Sequence, residues 1–130
     1  MSLELTLLIW SPVQLALYLG LQAILYRMEY GLKFGTGPRD DEPPARNSYL
    51  QRSDKALRNF LETYGAYVAL SVAIEFSHRA DNLTHWGAAL WFMARIVYLP
   101  LYLLGLPYLR SLVWLVSALG LALMFFGVAF

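Results

Sequence analysis

The sequence contains no cysteine. Disulfides, thiolate metal sites and a cysteine nucleophile are therefore excluded from the protein itself. Charge is scarce and almost balanced, with 10 Lys and Arg against 9 Asp and Glu and a net charge of +1. There is no basic excess or stripe to neutralise phosphates, which argues against a nucleic-acid binder. The two histidines, His78 and His85, are not at metal-ligand spacing, so no metal site is expected. No glycine-rich phosphate loop and no nucleophile elbow occurs.

What the sequence does have is apolar length. Hydrophobic residues make up 58% of the 130, and the mean hydropathy is +0.48. A soluble domain of this size sits nearer about 45–50% apolar. One membrane span needs about 20 mostly apolar residues, so four fit with room for one loop. The expected spans are 5–28, 56–77, 83–104 and 109–129, forming a single domain over 1–130 that is all-α: an integral membrane four-helix bundle. A loop is expected over about 33–55, where Gly35, Gly37, Pro38, Pro43 and Pro44 alternate with Arg39, Asp40, Asp41 and Glu42. The first run is read as a retained span rather than a signal peptide. Glu4 makes its start acidic, the run is too long, and no small-residue cleavage site follows.

Orientation follows from the cations. Arg27, Lys33, Arg39, Arg46, Arg52, Lys55 and Arg58 lie in or beside the first loop, and Arg110 falls on the same side. The positive-inside rule places that loop in the cytoplasm and both termini outside.

The spans are not equally clean. The first and last are free of charge along their apolar runs, whereas the second and third carry Glu62, Glu75 and Arg95. An ionised group at the bilayer centre costs about 2.5–3.5 kcal/mol on insertion scales, so Glu62 and Arg95 are expected to face the bundle interior or a wet cavity. On a helix, Lys55, Asn59 and Glu62 share a face at i, i+4 and i+7, with Arg58 four residues from Glu62. Two cations, an amide and a carboxylate at a membrane interface suit a zwitterionic ligand with more than one carboxylate. The plainer reading is a basic collar with one internal ion pair. Arg95, Tyr98 and Tyr102 share a face of the third helix, which also contains Pro100. An aromatic belt accounts for the tyrosines but not for Arg95. Arg110 and Ser111 follow Pro107 at the start of the fourth helix. There, the helix N-terminus and the guanidinium together favour an anion, or else anchor the helix at the interface. Glu75 and Arg79 stand four apart and are expected to pair.

Three segments resemble the MAPEG family, the membrane-associated proteins in eicosanoid and glutathione metabolism, small bacterial-type branch. They are Lys55-Ala56-Leu57-Arg58-Asn59-Phe60-Leu61-Glu62, Ala94-Arg95-Ile96-Val97-Tyr98 with Tyr102, and Arg110-Ser111. Their order and spacing agree with the family along nearly the whole chain. The resemblance implies a homotrimer of four-helix bundles in the lipid bilayer, the bacterial inner membrane by its branch, with glutathione as cosubstrate bound between neighbouring subunits near the cytoplasmic side. By that likeness Asn59 and Glu62 would hold the peptide and amino end of the tripeptide, and Lys55, Arg58 and Arg95 would meet its carboxylates. Tyr98 and Tyr102 would hydrogen-bond the tripeptide or its sulfur. Arg110 would hold the thiolate, with Ser111 as a second donor, and Arg27 corresponds loosely to a basic residue of the first helix. Many members carry arginine where this chain has Lys55, and lysine lacks the bidentate grip on a carboxylate. The implied activity is that of a glutathione transferase or peroxidase acting on a lipophilic small-molecule substrate. A non-catalytic binding or assembly protein on the same scaffold, and a small transporter lined by Glu62 and Arg95, are the alternatives.

Overall fold

The computed structural model describes residues 1–31, 37–38 and 47–130. The expected loop's segments 32–36 and 39–46, with Lys33, Arg39 and Arg46, lie outside the described residues. Four helices follow in order: α1 Leu3–Tyr30, α2 Ser48–Ser77, α3 Asn82–Leu103 and α4 Pro107–Ala129.

Each helix boundary has a local cause. Ser2 caps α1 by accepting from the Leu5 amide at 3.1 Å, and Gly31 ends it with φ at 86°. That region costs glycine little because it has no Cβ. Asn47 caps α2 by accepting from the Tyr49 amide at 2.9 Å, so the helix starts at Ser48, within the stretch expected as loop. His78 then takes the left-handed conformation at its end. Asp81 and Thr84 form a reciprocal capping box at the start of α3. Pro107 occupies the first turn of α4, where its missing N–H is no loss. α3 runs through Pro100 to Leu103.

α1, α3 and α4 are long and apolar enough to cross a membrane; α2 is long but carries more charge. Its crossing follows from the packing of the others. Thr84, in the first turn of α3, donates to Glu4 in the first turn of α1 at 2.7 Å. Further along, the Tyr18 hydroxyl donates to the Arg95 carbonyl at 2.7 Å, and Gln14 Nε2 donates to the Phe92 carbonyl at 2.8 Å. α1 and α3 therefore run parallel from a common end, and α2 must return the chain to that end between them.

The core is aromatic at its centre. Trp91 stacks on Tyr67 with ring centroids 3.9 Å apart, and Phe60 touches Tyr18, Tyr64 and Trp91. The outer faces carry Trp10, Leu17, Ile24, Met93, Leu115 and Phe125, as lipid-facing surfaces do. α3 and α4 meet closest at Gly87 and Gly120. A Cβ on either would lie 2.6 Å from the other's carbonyl oxygen, so the two backbones touch. Small residues at such a crossing replace the hydrophobic driving force that lipid removes.

Candidate functional site

The site lies at the end of the bundle where α3 turns into α4. That turn is fixed from α2. Arg52 Nη1 donates to the Leu103 carbonyl at 2.9 Å, supplying a cation to the end of α3. Its guanidinium fills the space beside Gly105, whose φ is 71°. Behind this latch opens a pocket of about 430 Å³ lined by Asn59 from α2, Tyr98 and Tyr102 from α3, and Arg110, Ser111, Trp114 and Leu115 from α4.

Arg110 sits one turn into α4, with its guanidinium carbon 4.6 Å from the centre of the Tyr102 ring. A cation over a ring face is held in place without being neutralised. Arg110 makes no ion pair among the described residues. Tyr98 meets Tyr102 edge-on at 5.5 Å, which turns both phenols along the same wall. Phenol, hydroxyl and guanidinium are hydrogen-bond donors, and no carboxylate lines the pocket. Such a donor set is suited to an anion, and Trp114 and Leu115 add an apolar side.

Arg95 does not line this pocket. It is fully buried one layer behind, where Nη1 donates to Asn59 Oδ1 at 2.7 Å and Nη2 to Thr63 Oγ1 at 3.0 Å. Its guanidinium carbon lies 5.0 Å from the Tyr98 ring centre and 5.8 Å from that of Trp91. The interior position expected for Arg95 is the one observed; each Nη makes one bond to a neighbouring side chain, and Nε has no hydrogen-bond partner among the described residues.

Glu62 differs from expectation. It is exposed on the outside of α2, in a shallow groove of about 460 Å³ with Asp54, Leu57, Arg58 and Leu61. Asn59 and Glu62 are about 60° apart around the helix, and the rim of the buried face falls between them: Asn59 is half-buried and Glu62 exposed. Arg58 and Glu62 share this groove but form no ion pair within 4 Å. Lys55 and Arg27 are exposed and line neither pocket. The expected Glu75–Arg79 pair is also absent among the described residues, because α2 ends at Ser77 and Arg79 has left the helix.

Sequence reasoning missed several residues. Glu4 was read only as a sign against a signal peptide, yet it is fully buried, accepts from Thr84 and lies 2.7 Å from His85 Nδ1. The available signal was a lone acid in the first turn of an apolar helix. Thr63, Trp114 and Leu115 were missed as well. Thr63 stands one turn after Asn59, which is the only hint the sequence carries.

A four-helix, all-α bundle with membrane-length apolar helices defines an integral membrane protein, here with a donor-lined pocket at the margin of its spans. The MAPEG family model matches residues 7–130, nearly the entire sequence, and the chain belongs to that family. No curated protein and no solved structure matches it.

Proposed function

We propose that this protein is a glutathione-dependent membrane transferase or peroxidase that acts on lipophilic electrophiles or hydroperoxides. The observation that carries the reading is Arg110, a guanidinium with no ion pair among the described residues, held over Tyr102 in a pocket lined with donors. A free thiol ionises near a pKa of about 8.5, so only a few per cent is thiolate at neutral pH. Lowering that value by one unit takes about 1.4 kcal/mol, within the reach of one cation in a poorly hydrated site. Arg110 is the thiolate's counter-ion, with Ser111 and Tyr102 as further donors. Asn59 and Tyr98 hold the tripeptide backbone, and Trp114 and Leu115 face the apolar partner. The protein supplies position and charge, and the tripeptide supplies the nucleophile.

The exposed groove with Arg58 and Glu62 supports an oligomer. Charges on the lipid side of a span are costly, and a neighbouring subunit would cover them. In the homotrimer we infer, Lys55, Arg58 and Glu62 of one subunit complete the tripeptide site of the next. The site lies at the end that carries the cations, which the positive-inside rule assigns to the cytoplasm of a bacterial inner membrane.

Calorimetric titration of the purified protein in lipid nanodiscs with glutathione tests the proposal. Wild type is expected to bind and to show the ultraviolet absorbance of a thiolate, and Arg110→Ala to lose that absorbance. Absence of heat at millimolar tripeptide would overturn the reading.

A further inference from the structure

Arg95 is a fully buried cation with no carboxylate partner among the described residues. The groups it touches are neutral: the Asn59 amide, the Thr63 and Tyr18 hydroxyls and the faces of Tyr98 and Trp91, while the Glu62 carboxylate acts on it through space without forming an ion pair. A guanidinium has donors and no acceptor. The 2.7 Å bond from Nη1 to Asn59 can therefore be made only to the amide oxygen. The amide nitrogen, on the opposite branch of the same planar group, is turned away from Arg95. Asn59 lines the pocket and Arg95 does not. Thr63 is fixed in the same way, since its hydroxyl accepts from Arg95 at 3.0 Å and donates its proton to the Phe60 carbonyl at 3.4 Å.

We propose that Arg95 is a positioning residue that locks Asn59 as a donor towards the pocket, so that this point of the site reads a carboxylate or peptide carbonyl oxygen and rejects an ammonium or hydroxyl donor. The assignment rests on the tripeptide reading for the ligand's name, but not for the direction of the amide. An unconstrained asparagine offers either end to a ligand. Here the wrong orientation would place two donors against each other and leave a buried charge with one bond fewer. The charge behind the amide also polarises it, which strengthens the N–H groups on the far side. Sequence spacing alone set Asn59 and Arg95 on separate helices with separate roles. The structure makes them one device, with the charge one layer behind the group that touches the ligand.

Three variants in nanodiscs test this, each measured by thermal unfolding without ligand and by glutathione titration. Asn59→Asp keeps the oxygen that faces Arg95, gives the buried cation a counter-ion, and replaces the pocket-facing donor by an acceptor. It is expected to unfold at or above the wild-type temperature, yet to bind glutathione at least about tenfold more weakly. Arg95→Lys remains donor-only and is expected to hold affinity within about threefold of wild type. Arg95→Gln satisfies Asn59 in either orientation and is expected to bind more weakly than Arg95→Lys.

A purely structural cross-link predicts a different pattern, in which affinity follows unfolding temperature through all three. That pattern, or an Asn59→Asp protein that binds like wild type, overturns the proposal. Should wild type itself fail to bind glutathione, the tripeptide reading falls alone. The unfolding arm still decides the amide direction, and a lower unfolding temperature for Asn59→Asp overturns it.

Discussion

The bundle sinks a charge into apolar surroundings at each end, and the two charges have different company. At the end where α1 begins, the Glu4 carboxylate accepts from Thr84 and lies 2.7 Å from His85, so its partners belong to the protein and join α1 to α3. Toward the other end Arg95 is hydrogen-bonded only to neutral side chains among the described residues, and Arg110 rests on a ring face in an open pocket. A charge whose partner is built into the chain holds helices together. A charge left facing a cavity has capacity for a partner from outside. Burial differs as well: Glu4 and Arg95 are fully buried away from the pocket, whereas Arg110, which lines it, is half-buried.

The largest expected effect that tests this contrast comes from Glu4→Ala. Removing the carboxylate leaves the Thr84 hydroxyl and His85 without their partner, and should cost about 2–3 kcal/mol in unfolding by denaturant. Glutathione affinity, measured on the folded fraction, should not change; a loss of affinity equal to that of a pocket variant would erase the distinction between the two ends. Next in size is Gly120→Val. The added carbons meet the Gly87 carbonyl, which is backbone and cannot swing aside, so about 1–3 kcal/mol of stability is expected to disappear in thermal unfolding. Arg110→Ala should act in the opposite sense to Glu4→Ala. Its unfolding should match wild type, while glutathione affinity at neutral pH falls about tenfold, equivalent to about 1.4 kcal/mol. The smallest change is expected from Tyr18→Phe, which deletes the bond to the Arg95 carbonyl and should cost about 1 kcal/mol with no effect on binding.

The fold was largely legible in the sequence because lipid imposes a length on every crossing. Long apolar runs, two of them free of charge, and the turn residues between them were sufficient to set out four helices. The start of α2 was less legible: charge marks solvent, but does not forbid helix, and Asn47 caps the chain well before the apolar run begins. Periodicity grouped Asn59 with Glu62 and Arg95 with Tyr102, yet it could not say which member of each group faces inward. That depends on the neighbouring helix. Tyr98 and Tyr102 reach the pocket, whereas Arg95, on the same stripe, is intercepted by Asn59 and Thr63. Trp114 and Leu115 look like any lipid-facing residues until the α3–α4 turn is seen to set them beside Arg110.

The backbone contact between Gly87 and Gly120 has a mechanical consequence for the pocket. With no side chain between them, α3 and α4 lack a compressible layer and behave as a single stiff plate that carries Tyr102 and Arg110 together. Asn59 belongs to α2, across a seam joined by the Arg95 and Arg52 bonds. Widening the cavity therefore means parting that seam, which the two arginines bridge near the pocket and the Tyr67–Trp91 stack closes deeper in the bundle.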